Sequence, residues 1–374
     1  MPTRCFNFLK LDEERSNDNE RWKAFTDVFL KIAHYVTSGQ CTTIDEVTSQ
    51  LFEDRLITSD IEDQELYCVR YMIFSVLGWQ TMLYRPAAMK EDPKEFAIHD
   101  EQDGYRGQAY ISLTQDIQTG SRETLGELLT GFGVPLPSKN ICLAEDTEEQ
   151  KAFHQDLEIS TKTLNAHLLV SIAGIRIRWI DTLACHMEYS PATKELYLFR
   201  FPSHCLSCLR STKANSRSVI HTFATTSNFL CQWATASDID CMLREILLSY
   251  RLLFGRSKKS RALFRLTDPY AGLSNNARDP ILASLCSSRS CHLLDLPETG
   301  RYNLPRDFPI LRYRIAMLQR HLSRTAPRTW TQLWSDKRDS AQWLTFWAVI
   351  CFGACGTFLA LLQAVLQLVE VVKS

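Results

Sequence analysis

The 374 residues are 45% apolar and 23% charged, an ordinary globular balance with room for one large domain or two ordinary ones. Thirteen cysteines, odd in number and scattered, argue against a disulfide framework and for buried thiols. The net charge of −1 hides a division: residues 1–150 hold 14 Lys and Arg against 27 Asp and Glu, whereas residues 151–374 hold 28 against 16. Unlike halves attract, and the basic half suits an anionic membrane surface.

Residues 1–18 form a polar tail, and the opening MPTRCFNFLKLDEER lacks the continuous apolar core of a secretory signal. From Asn19 to Val36, Trp22, Phe25, Val28, Phe29 and Ile32 recur at three- and four-residue steps and predict an amphipathic helix. Thr43-Ile-Asp-Glu46 has capping-box spacing and opens a second helix to about Arg55; Ser59-Asp-Ile-Glu62 opens a third to about Tyr84. The third is apolar on most faces from Leu66 to Leu83, which predicts the centre of the N-terminal core. Glu65 and Arg70 speak against its crossing a membrane. Two helices joined by a short turn suggest a DNA-binding pair. The third helix, however, opens with Asp60, Glu62, Asp63 and Glu65, where a phosphate-reading helix is basic, so no nucleic-acid partner is expected. Pro86 to Gln108 reads as loop, and Leu125 to Phe132 as a short helix ended by Gly131, Gly133 and Pro135. Residues 19–135 thus form an acidic helical region.

Pro135 to Gln150 is polar and acidic and marks an internal boundary; residues 150–306 read as a basic α+β region. A helix is predicted from Phe153 to Val170. Ile175 to Trp179 alternates as a half-buried strand does. Leu183 to Tyr189 and Glu195 to Phe201 flank the turn-rich Ser190-Pro-Ala-Thr-Lys194 and predict a β-hairpin over 183–201, stopped by Pro202. Arg210 to Arg217 reads as a polar loop. Ser237 caps a helix with Ile239, Met242, Leu243, Ile246, Leu247 and Leu253 on one face. That helix runs into a basic patch of Arg256, Lys258, Lys259, Arg261 and Arg265. Cations near a helix end complement its dipole; the same patch suits phosphate or anionic lipid headgroups. Residues 267–306 read as loop.

Residues 307–339 form a basic juxtamembrane segment. After Pro309, Leu311, Ile315, Leu318 and Leu322 make a narrow apolar stripe on a basic helix ended by Pro327, expected either on the membrane or against the body. Ser340 to Val369 carries no charge. Its more apolar part, Leu344 to Leu368, is about 37 Å long as a helix, enough to cross a hydrocarbon core of about 30 Å with some tilt. Residues 341–369 are therefore expected to be a transmembrane helix with the lipid bilayer as partner. Trp330, Trp334, Trp343 and Trp347 lie where the chain meets the interface, which indole rings favour. Nine basic residues stand between Arg301 and Arg338, against Lys373 alone beyond the span, so the N-terminal body is expected in the cytosol. The arrangement is that of a tail-anchored protein, with the endoplasmic reticulum preferred. Gly353, Ala354, Gly356 and Thr357 form a small-residue zone suited to close approach of a second helix.

The best metal-like set is His204-Cys205-Leu-Ser-Cys208, with Cys286 and Cys291-His292 further on. Zinc wants four ligands and one CxxC supplies two, so unmetallated thiols are the preferred reading, with no metal or cofactor expected. A redox CxxC wants a thioredoxin-like βαβ context, which is lacking. No Walker loop, dinucleotide fingerprint, GxSxG, HExxH or kinase set is present. No catalytic residue is assigned; an enzyme of another kind would gather Asp181, His186 and His204.

LGWQTMLYRP at Leu77–Pro86, IRIRWID at Ile175–Asp181, LYLFRFPS at Leu196–Ser203, RDFPILR at Arg306–Arg312 and LWSDKRDSAQWLTFWAV at Leu333–Val349 together resemble a group of uncharacterised filamentous-fungal proteins that end in one hydrophobic helix. The resemblance covers most of the chain after residue 60. It implies a class and an anchor, and carries over no functional residue. The expectation is a mainly helical α+β cytosolic body with a small antiparallel hairpin sheet, then one C-terminal transmembrane helix. Its expected role is an interaction or scaffold module with protein partners in the cytosol. The alternatives are a membrane-tethered enzyme or a peripheral anionic-lipid sensor.

Overall fold

A computed structural model describes residues 18–58, 63–90, 92–99, 112–134, 158–213, 217–225, 235–274, 278–288, 299–325 and 340–373. The acidic half begins with helices α1 (Asp18–Thr37), α2 (Ile44–Glu53) and α3 (Asp63–Thr81). The capping box that opens α2 is formed: Glu46 N donates to Thr43 Oγ1 at 3.1 Å and Thr43 N to the Glu46 carboxylate at 3.2 Å. Ser59 to Glu62 lie outside the described residues. α3 buries Val69, Met72, Ile73, Phe74, Val76 and Leu77, as its apolarity predicts. It stops at Thr81 rather than near Tyr84. Met82 takes φ 52°, and Tyr84 folds back so that its hydroxyl donates to Phe74 O at 2.7 Å. The ring lies over Gly78, where a Cβ would stand 2.7 Å from it; only glycine admits that closeness.

The stretch read as loop after Pro86 contains β1 (Glu95–Ala97), paired antiparallel with β2 (Thr114–Asp116). α4 (Ile117–Gly120) and α5 (Leu125–Phe132) follow. Thr124 and Glu127 form a capping box on α5, and Gly133 closes it at φ 71°, a left-handed position that favours glycine.

In the basic half the helix expected over 153–170 is not continuous. β3 (Glu158–Ser160) pairs antiparallel with β7 (Arg301–Asn303), and Asn165 caps only the short α6 (Ala166–Ser171). β4 (Arg176–Ile180), β5 (Tyr189–Ser190) and β6 (Glu195–Phe199) form one sheet in the order β4-β6-β5. The hairpin is present, but its first strand is only two residues, because Met187 at φ 62° turns the chain just before it. β6 also pairs in parallel with β4, which makes it the central strand. Leu196 and Leu198 join the main core, while Tyr197 joins Ile180 and Cys185 in a separate cluster.

Pro202 opens α7 (Pro202–Lys213), at the first helical position where its missing N–H leaves no bond unmade. α7 takes up the first part of the predicted loop at 210. α8 (Val219–Thr225) packs on α1, α3 and α5 from one side and on α9 (Ala236–Tyr250) from the other, joining the two halves. α9 starts before the expected Ser237: Thr235 is the cap, completed by Asp238. A π turn, Arg251–Gly255, separates α9 from α10 (Lys258–Leu266).

The stretch read as loop over 267–306 contains α11 (Pro280–Leu285), β7 and the start of α12 (Leu304–Asp307). α13 (Arg312–Arg324) buries Ile315, Ala316, Leu318 and Leu322, so of the two expected places for this helix, the body is the one it takes. One apolar cluster runs from Phe25 to Leu322, through both acidic and basic stretches. α14 (Ser340–Lys373) ends the described chain. The molecule is a mainly helical α+β body with small sheets and one apolar C-terminal helix.

Candidate functional site

Within α14, Trp347–Val365 is long and apolar enough to cross a membrane by length and composition, and none of it is buried against the body. A core helix of a soluble protein of that apolarity is mostly covered. Nineteen residues rise about 28 Å as an α-helix, close to the thickness of a hydrocarbon core. The window carries no charged side chain, and the hydroxyl of Thr357 donates back to Gly353 O at 2.8 Å, which satisfies its proton without water. Added Cβ atoms at Gly353 and Gly356 would meet nothing within 4 Å, so the small-residue zone faces open space. Trp343 lies on α14 and Trp347 is half-buried near its start; Trp330 and Trp334 lie outside the described residues.

The basic patch is a helix of its own. Ser257 caps α10, whose Oγ accepts from Ser260 N at 3.1 Å. Arg256, Lys258, Lys259 and Arg265 are exposed, whereas Arg261 is half-buried and donates to Gly255 O at 2.6 Å. The inner side is seated on the body: buried Ser260 donates to Asn165 Oδ1 at 3.0 Å and accepts from His167 N at 3.0 Å. The Phe264 ring lies 5.6 Å from Phe254 and 6.0 Å from Trp179.

Compared with protein-family models, curated proteins and solved structures, the chain matches none. The remaining candidates therefore stand on geometry alone.

Cys205 and Cys208 sit on α7, both buried, and burial pushes both thiols up, away from the thiolate a metal needs. Cys291 and His292 lie outside the described residues, and among the described residues no three His, Cys, Asp or Glu side chains are placed to hold a metal. Asp181, His186 and His204 each have a different occupation. Asp181 pairs with Arg200, which also donates to Pro269 O at 3.2 Å. His186 is fully buried; its Nε2 donates to Ser249 Oγ at 2.8 Å and its Nδ1 accepts from Phe199 N at 3.1 Å. The Ser249 hydroxyl in turn donates to Ile246 O at 2.7 Å, which fixes that tautomer. His204 contacts Cys208 Sγ at 3.7 Å and the Thr81 main chain.

Two polar networks have little or no local signature in the sequence. His221, buried in α8, meets Ser218 Oγ at 2.6 Å through Nδ1 and Asp240 Oδ1 at 3.0 Å through Nε2; Thr212 also donates to Asp240, at 3.2 Å. Only the Ser218–His221 spacing, that of a first helical turn, is readable in advance. The network ties α7, α8 and α9 together. Glu245, buried in α9, accepts from Ile310 N at 3.0 Å and Leu311 N at 2.6 Å, a carboxylate set at the start of α13 where the helix dipole favours it.

Proposed function

We propose that the chain is a single-pass membrane protein whose body acts in the cytosol as an interaction or scaffold module. The observation that carries this reading is the uncovered window Trp347–Val365: exposed to water, its leucines and phenylalanines would be a large apolar liability, and lipid removes it. Orientation is inferred from the basic residues that crowd the N-terminal flank, which favour the cytosolic side. The endoplasmic reticulum is the first membrane to examine. The interaction reading is preferred to the enzyme because Asp181, His186 and His204 are each engaged in holding separate parts of the fold.

The test is alkaline extraction of membranes combined with protease protection of an N-terminal tag on sealed vesicles. The expected result is a chain that stays in the pellet and a tag cleaved without detergent. Intact chain in the alkaline supernatant overturns the anchor, and a protected tag reverses the orientation. Chemical cross-linking of the full chain in native membranes is expected to trap discrete heteromeric species; finding none speaks against the scaffold role.

A further inference from the structure

We propose that α10 is a second membrane contact, its outward face of Lys258, Lys259, Arg265 and Leu266 resting on an anionic lipid leaflet. The inference rests on the membrane reading above but draws on separate observations.

The first is the face itself. α10 is seated through Ser260, Leu263 and Phe264. At about 100° per residue, the opposite arc carries Arg261, Arg265, Lys258, Ala262, Leu266 and Lys259 in that angular order. Leu266 is 86% exposed and falls between two lysines in that projection. No acidic residue occurs from Phe254 to Leu266.

The second is that these charges are badly placed for the helix alone. The expectation that they complement a helix end fits Arg256, which follows the π turn that ends α9, and Arg265 lies in the last turn of α10. Lys258 and Lys259 instead occupy the first turn of α10, which holds no acidic residue, where the dipole repels cations. Arg261 and Arg265 add a like-charge pair four residues apart, also unfavourable. Attraction to an anionic surface offsets each of these penalties. The neighbouring His167 imidazole is held below its usual range by burial and then by Lys259.

The third is reach. Fourteen residues separate Thr325 from Ser340, and however they run they span no more than about 50 Å. The leaflet is thus presented to α10 at high local concentration. A fluid anionic surface satisfies scattered cations without a shaped pocket and takes up a protruding leucine among its headgroups. A nucleic acid would engage the cations and leave Leu266 in water, which favours the leaflet.

The test uses the full chain in nanodiscs of phosphatidylcholine alone or with phosphatidylserine, with Ala262 replaced by the photo-crosslinker p-benzoylphenylalanine. Lipid adducts are expected to be several-fold more abundant with phosphatidylserine and to fall with added salt. Each cation near the leaflet favours contact by about fivefold, so Lys258→Gln with Lys259→Gln and Arg265→Gln is expected to weaken it roughly a hundredfold, to background yield. All three sit on the exposed arc, and an unchanged thermal midpoint verifies folding. Adducts that are absent, or equal in the two compositions, while the chain remains in the discs overturn the proposal alone. Adducts to added RNA in place of lipid do the same. A chain that fails to enter discs overturns the membrane reading and this proposal with it.

Discussion

His186 illustrates how one buried side chain ties protonation to folding. With both ring nitrogens engaged, its cationic form has no place in the fold. Burial, and then the nearby Arg314 guanidinium, push its pKa down to about 3. In the unfolded chain the same ring titrates near 6.5. Between those values the unfolded chain binds a proton that the folded chain refuses, so stability present above about pH 6.5 is lost as pH falls towards 3. His167, His204 and His321 are shifted in the same direction, each mainly by burial, and add to the slope. The denaturation midpoint is expected to fall between about pH 7 and about pH 5. His186→Asn is expected to lower the midpoint at neutral pH and flatten that slope; an unchanged slope would place the controlling proton elsewhere. Glu245 is the complementary case, a buried carboxylate that answers two main-chain donors. Glu245→Ala leaves Ile310 N and Leu311 N without that acceptor and is expected to cost about 2–4 kcal/mol, with Glu245→Gln costing less. Guanidinium unfolding in detergent measures both.

Among the elements, α7 and α11 share a single cap. Asp279, buried, accepts from Ser203 N at 2.7 Å through one oxygen and from Ile281 N at 2.8 Å through the other. Asp279→Ala removes both caps, each worth about 1 kcal/mol. It is expected to speed hydrogen exchange at the first turns of both helices together, whereas loss at α11 alone would contradict the shared cap. Such pairings mark where reading the sequence stops. The Thr43–Glu46 capping box is legible because both partners lie within one turn. The helix expected over 153–170 fails because the partner of β3 stands more than 140 residues away, and the parallel bond of β4 to β6 is equally invisible in a local alternation. Of the candidate sites, the apolar α14 and the basic α10 are legible because composition alone defines them. The misplacement of Lys258 and Lys259 is not, since it depends on where a π turn ends one helix and lets another begin. The His221 and Glu245 networks assemble from three or two distant segments, and only coordinates unite them.

For the molecule as a whole, the body and α14 are built on different patterns. One apolar cluster holds the body from Phe25 to Leu322, and none of Trp347–Val365 contributes to it. The two properties are therefore separable by mutation. Arginine at the centre of a spanning helix costs about 2.5–3.5 kcal/mol in membrane insertion. Gly356→Arg combined with Leu359→Arg places two charges near the middle of the window, a penalty of roughly 5–7 kcal/mol that the remaining leucines and phenylalanines offset only in part. The double variant is expected to shift from the alkaline-resistant pellet to the supernatant. Its circular dichroism and the thermal midpoint of its body are expected to stay at wild-type values, because neither position packs on the core. A variant that stays in the pellet would mean that contacts other than α14 hold the chain there. A variant that unfolds would mean that α14 supports the body, against the open space around Gly356.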